Sequence, residues 1–116
     1  LACWWGVGVD ERRMDASEVG RLEHLPQEHQ FRLFLTQQDY AWVDYAEEGE
    51  VCVLYHVEVP EALRGKGAAA LVAKSVMDHL IAEERAFGAT CTYLRHKFLV
   101  ENPSYAHHPL YRECNL

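Results

Sequence analysis

Between Glu58 and Ala70 the chain reads EVPEALRGKGAAA. Two glycines, two cations and a run of alanines stand where a strand-like segment hands over to a helical one. Free backbone N–H groups at a helix start, with the positive end of the helix dipole, hold an anion without help from a metal. Gly65 and Gly67 let the backbone approach a phosphate and adopt conformations closed to other residues. Arg64 and Lys66 add countercharge, and Ala68, Ala69 and Ala70 leave room beside the first turn. The pattern fits a pyrophosphate cradle, and equally a basic glycine-bearing loop before a helix. Three further side chains carry groups that could react. Histidine, whose unperturbed pKa is about 6.5, suits proton transfer, which makes His56 a candidate, and Glu58 could take a proton directly or through water. Cys91 could accept an acyl group as a thiolate or line a cleft as a thiol. The structural alternatives are a hydrogen-bonded histidine at a sheet edge, a solvated carboxylate and a small buried hydrophobe.

Three phosphate-binding patterns compete for the loop. A Walker-type loop needs G-x-x-x-x-G-K-[ST], which Gly65-Lys66-Gly67 does not supply. A dinucleotide fingerprint can be read as Gly65-x-Gly67-x-x-Ala70. Five residues, Pro60 to Arg64, separate the strand from its first glycine, however, and no strand-end carboxylate follows about 20 residues on. The acyl-coenzyme A pattern [QR]-x-x-G-x-[GA] is matched by Arg64-Gly65-Lys66-Gly67-Ala68-Ala69 and has the right flanks.

Those flanks follow from periodicity. In QFRLFLT, Phe31, Leu33 and Leu35 alternate with Arg32 and Phe34, a half-buried strand. YAWVDYA and VCVLYHVEV read as two more strands, and three joined by short turns make an antiparallel meander. Strict alternation in the third puts Val51, Val53, Tyr55, Val57 and Val59 on one face and Cys52, Leu54, His56 and Glu58 on the other. Pro60 ends the pairing, having no N–H to give. From Gly67 to Ala86 the period becomes 3.6, with Ala69, Val72, Ala73, Val76 and Leu80 in one stripe, and Gly88 is a candidate left-handed stop. ATCTYL then reads as a strand on which Cys91 and Tyr93 point the same way, and RHKFLVEN as a short helix ended by Pro103. The tail from Pro103 has no strong period, and no repeat or linker is present.

At 116 residues the chain is one domain. Residues 1–20 form a leader, added at the gene start or disordered, and 21–116 the domain. Met14 opens a polar stretch that reads as a natural start, so Trp4 and Trp5 are expected to lie outside the core. A formal charge of -7 argues against a nucleic-acid footprint. The four cysteines are scattered without metal or disulfide spacing, which points to a reducing, cytoplasmic setting and no metal site. His24, His29, His107 and His108 lack ligand spacing and are expected at the solvated surface. No segment is apolar over the roughly 20 residues of a membrane span. QFRLFLT, if an exposed edge, could pair two copies, so the chain is expected to be a monomer or weak dimer.

The order strand, [QR]-x-x-G-x-[GA] loop, long amphipathic helix, strand resembles motif A of the GNAT superfamily of N-acetyltransferases. More narrowly, EVPEALRGKGAAALVAKSVMDHLIAEE followed by TCTYLRHKFLVENP is similar to its small single-domain branch, over about Leu22 to Tyr105. The resemblance implies an α+β fold, a mixed, mainly antiparallel sheet flanked by a long helix and a short one. It implies strands that splay between the one ending near Val59 and the one containing Cys91. It also implies acetyl-CoA as cofactor, with pyrophosphate on the loop from Arg64 through Gly65, Lys66, Gly67 and Ala68 to Ala69. The pantetheine arm would run along His56 to Val59, with Val57, Val59 and Asn102 among the cofactor contacts. Catalysis would fall to Glu58, His56 and Cys91, with Tyr93 or Tyr105 as an acid, and the acceptor would be a small-molecule or peptidyl amine. The alternative is a non-catalytic acyl-CoA-binding module, because the long helical segment that shapes the acceptor site of larger relatives is missing.

Overall fold

The computed structural model describes residues 20–65 and 67–114. Residues 1–19 of the expected leader, with Trp4 and Trp5, lie outside the described residues, as do Lys66 and the last two positions.

Strands β1 (Arg21–Leu25), β2 (Gln30–Phe34), β3 (Tyr40–Glu48) and β4 (Val51–Glu58) form an antiparallel meander, and β5 (Phe87–Ala89) adds in parallel beside β4. β1 is an addition to the three strands read from periodicity, since RLEHL sits in a polar stretch. Its partners reveal it: Leu22 pairs with Leu33 and His24 with Phe31. β2 is therefore an interior strand held on both sides, not the exposed edge expected of QFRLFLT, and β1 takes the outer place.

Alternation holds in β2 and β3. Phe31 and Leu33 face Val43 and Ala41 across the ladder, and all four are buried with Tyr45. It fails in β4. Asp44 pairs with His56 and Tyr45 with Leu54, so Tyr55 is an extra residue and a bulge. The bulge reverses the face. Cys52 and Leu54 are core residues, Val57 and Val59 pack against the same core, and His56 and Glu58 emerge on the opposite side. Strict alternation had placed Cys52 and Leu54 with His56 and Glu58.

Helix α1 (Ala68–Ala82) covers the inner face through Val72, Ala73, Val76, Met77 and Leu80. Full burial of each of the Val, Met and Leu side chains among them contributes about 1.5–3 kcal/mol. The helix stops four residues earlier than expected. Glu84 takes the left-handed conformation at φ 58°, Arg85 N–H bonds Leu80 O at 2.8 Å and Glu84 N–H bonds Ile81 O at 2.9 Å, a Schellman closure. Gly88 is not that stop. It lies inside β5, where a Cβ would come 2.5 Å from the Arg112 carbonyl and against the Cys114 sulfur. The tail runs beside β5 there, with Phe87 N–H on Leu110 O at 3.0 Å and Arg112 N–H on Phe87 O at 2.7 Å.

After Ala89 the chain does not continue as a strand through ATCTYL but turns helical at Thr92. A π-turn over Leu94–Phe98 leads into α2 (Leu99–Glu101). Burial of Leu94, Phe98 and Leu99 in the common core overrides the β preference of Thr-Cys-Thr-Tyr. Pro103 opens α3 (Pro103–Ala106) as its first residue, and Asn102, forced out of the helical region ahead of it, is the break. No described helix is long and apolar enough to cross a membrane.

Candidate active site

β5 follows β4 only from Cys52 to Leu54. The Thr90 and Cys91 N–H groups both donate to Leu54 O, at 3.0 and 3.4 Å, and there the ladder ends. From Tyr55 to Glu58, β4 is paired with β3 alone among the described strands, so one backbone edge is open. The cause is local. The bulge at Tyr55 bends β4 away as β5 gives way to a helix. Cys91, half-buried, stands where the two strands part, and its sulfur makes no hydrogen bond among the described residues.

At its far end β4 runs into a tight turn. Pro60 O accepts the Leu63 N–H at 2.9 Å and Glu61 O the Arg64 N–H at 3.2 Å, which folds the chain back. Gly65 and Gly67 follow at φ 81° and 76°, and a Cβ on either would meet nothing within 4 Å. These glycines are needed for their left-handed backbone, and open space surrounds them. Gly67 is the N-cap of α1. No side chain caps the helix and its first turn carries no acidic residue, so its leading N–H groups and dipole are left for an anion. This arrangement fits the pyrophosphate of a coenzyme A: a positive-φ glycine pair, an uncapped helix start and an open strand edge leading to it.

The turn also returns Arg64 to the strand. Its Nε donates to Val59 O at 3.0 Å and its Nη2 to Glu58 Oε2 at 3.2 Å. Glu58 Oε1 lies 3.0 Å from His56 Nε2. His56, Glu58 and Arg64 thus form one chain on the outer face of the sheet, beside Asp44 and Trp42, their cross-strand partners on β3. Arg64 is 60% exposed and Glu58 33%, so the pair contributes at most about 1 kcal/mol and breaks at little cost. The spacing from Glu58 to Arg64 gives no hint of this contact. Pro60 gives one, because a proline ending a strand before a short turn brings position 64 back toward 58.

Other expected residues lie differently. The Asn102 side chain donates to Phe98 O at 3.0 Å and serves to end a helix. Tyr105 donates its hydroxyl to Asp78 Oδ1 at 2.7 Å, in the third turn of α1. Tyr93 is half-buried, and burial raises its phenol. Cys52 is sealed in the core, where burial pushes its thiol up to about 12. His24 and His108 are not merely solvated, as the sequence had led one to expect. His24 stacks on Phe31 at 4.3 Å with its Nε2 2.7 Å from the Tyr45 hydroxyl, and His108 Nδ1 accepts the Leu110 N–H at 3.0 Å. A separate concavity lined by Arg95, His96, Leu99 and Tyr111 includes none of the residues picked out for chemistry.

Comparison with known proteins bears on the family and the fold. Residues 30–108 match the profile of the GCN5-related N-acetyl-transferase family. The chain is 39% identical over 102 residues to Protein NATD1 of Danio rerio, covering 86% of this chain and 88% of that protein. It is 38% identical over 85 residues to Protein NATD1 of Homo sapiens, covering 72% and 74%. The NMR solution structure of a GCN5-like protein from Staphylococcus aureus superimposes with a TM-score of 0.58 at 19% identity, over 83% of this chain and 91% of that one.

Proposed function

The chain belongs to the GCN5-related N-acetyltransferase family, and we propose that it transfers acetyl from acetyl-CoA to a small-molecule or peptidyl amine. The observation that carries this reading is the uncapped, acid-free start of α1 at Gly67, reached from the β4 edge that β5 leaves at Leu54. Acetyl-CoA, when bound, supplies the activated thioester. The loop from Arg64 to Ala69 holds its pyrophosphate, with Lys66 included on sequence grounds, and Val57 and Val59 flank the arm along β4. His56 and Glu58 lie outward on the same strand. A histidine whose ring is oriented by a carboxylate can take the proton of the attacking amine, and the carboxylate steadies the charge that the ring gains. Cys91 borders the cleft and shapes it. The net charge of -7 favours approach of a cationic acceptor.

One observation favours the second reading, an acyl-CoA-binding module without turnover. β1 passes into β2 through the single short turn Pro26–Glu28, so no helix between them builds a wall for the acceptor.

The test is calorimetry with acetyl-CoA on the wild type and on Ala70→Glu. Ala70 is exposed in the first turn of α1. A glutamate there stabilises a helix by about 0.3–1 kcal/mol but repels phosphate. Binding by the wild type, weakened at least about tenfold (1.4 kcal/mol) in a variant that melts no earlier, is the expected result. A wild type that binds nothing would overturn the reading. Release of free thiol that depends on an added amine separates the enzyme from the module.

A further inference from the structure

Arg64 belongs by position to the loop that would hold the cofactor, yet its guanidinium is folded back onto β4. Nε is on Val59 O at 3.0 Å and Nη2 on Glu58 Oε2 at 3.2 Å. The second oxygen of Glu58 is taken by His56 Nε2 at 3.0 Å. With both oxygens engaged and a cation on one of them, the carboxylate is a poor partner for an approaching ammonium group. Arg64 is 60% exposed, so its side chain can swing without disturbing any packing. Its backbone is extended at φ -69° and ψ 149° and leads within three residues to the N-cap of α1, well inside the reach of an arginine side chain. Phosphate oxygens offer a guanidinium stronger, charge-assisted, two-pronged bonds than an exposed carboxylate does.

We propose that Arg64 is a two-position switch, held by Glu58 and Val59 in the free chain and drawn off by the pyrophosphate, so that cofactor binding exposes the His56–Glu58 pair to a cationic acceptor. This inference rests on the cofactor reading above and adds to it an order of events. Until the cofactor is in place the site favours an ammonium group less, by at most the roughly fivefold that so exposed a pair contributes. Linkage then requires the converse: a bound acceptor must tighten the cofactor by the same factor. The class of acceptor follows too, an amine cationic before it reacts, because a neutral aniline-like amine would gain little from the freed carboxylate.

The test follows two side-chain signals by NMR in the full chain, the Arg64 Nε–H and the His56 ring nitrogens, during titration with coenzyme A. Calorimetry on the same samples reports binding independently, and circular dichroism confirms that the Arg64→Gln variant folds. In the wild type both signals are expected to shift on binding. In Arg64→Gln the His56 signal of the free protein should already lie near its cofactor-bound position and lose most of its response to coenzyme A. Binding that leaves the Arg64 signal unmoved would overturn the switch while leaving the cofactor reading intact. An equal response of His56 in wild type and variant would do the same, because the effect would not pass through Arg64. Absence of calorimetric binding would remove both.

Discussion

Tyr105 and Asp78 are joined by a 2.7 Å hydrogen bond that ties α3 to the middle of α1, and Lys74 reaches the other Asp78 oxygen at 2.7 Å. Burial alone would raise the Asp78 carboxyl. The hydrogen bonds from Lys74 and Tyr105 and the lysine charge outweigh it and hold the group below the usual carboxylate range. A lowered carboxylate pKa stabilises the fold above the unfolded value near pH 4, and that stability is lost as pH falls through the lowered folded value. Tyr105→Phe should therefore cost stability at pH 7, by less than about 1 kcal/mol for so exposed a contact. The difference should fade as pH falls through the lowered folded value, below which both states are protonated. Urea denaturation at pH 7 and through the acid range checks this. Acetyl transfer should be unaffected, because the Tyr105 hydroxyl is engaged on α1.

The described cysteines should separate by reactivity. Cys52 is fully buried and its thiol is pushed up to about 12 by that burial, so a maleimide at neutral pH should leave it untouched until the protein unfolds. Cys91 and Cys114 are half-buried and should label in the native state. Coenzyme A should protect Cys91, at the parting of β4 and β5, and leave Cys114 labelled. Peptide mapping of the labelled protein reads all three at once, and equal labelling of Cys91 with and without coenzyme A would place that thiol outside the cleft.

Deleting Tyr55 removes the bulge residue while keeping every other β4 side chain on its present face, since Leu54 and Val57 then fall two apart. The shortened strand should straighten and lie along β5 for longer. The variant is expected to fold, shown by a cooperative thermal transition, and to lose measurable acetyl-CoA binding by calorimetry. Undiminished binding would mean that the cleft does not depend on the bulge.

Two substitutions, one just past the end of α1 and one inside β5, should act in opposite directions. Glu84 holds a left-handed conformation that costs a non-glycine residue about 1–2 kcal/mol, so Glu84→Gly should raise the melting temperature. Gly88→Ala should lower it, through a stability loss of about 1–3 kcal/mol, because its Cβ would meet the Arg112 carbonyl at 2.5 Å and the tail must give way. Differential scanning of the two variants suffices.

The long helix, the meander and the glycine turn before the helix are legible in the sequence because each rests on a local signal: a 3.6 period, a 2.0 period, or glycines at fixed spacing. What escapes the sequence depends on contacts made at a distance. Tyr55 is a good strand former among good strand formers, so nothing marks it as the extra residue. Thr90 to Tyr93 prefer a strand, yet the chain leaves the sheet there and is helical from Thr92 because Leu94 and Phe98 must reach the core. Gly88 looks like a helix stop and is a point of close approach, decided by a tail 24 residues further on (Arg112 against Gly88). Of the site, His56, Glu58 and the loop come together on one strand and its turn. The bond from Arg64 to Glu58 is hinted at only by Pro60, which ends the strand before the turn that brings position 64 back.

β5 is three residues long and is held between β4 on one side and residues 110–112 on the other. The meander closes through short local hairpins, whereas β5 needs partners on both sides of it in the chain, one far upstream and one near the end. During synthesis on the ribosome, β1 to β4 can therefore pair while the second wall of the cleft is still missing. A chain cut before Leu110 would carry much of the sheet without the support of β5, and should lose cofactor capture before it loses folding.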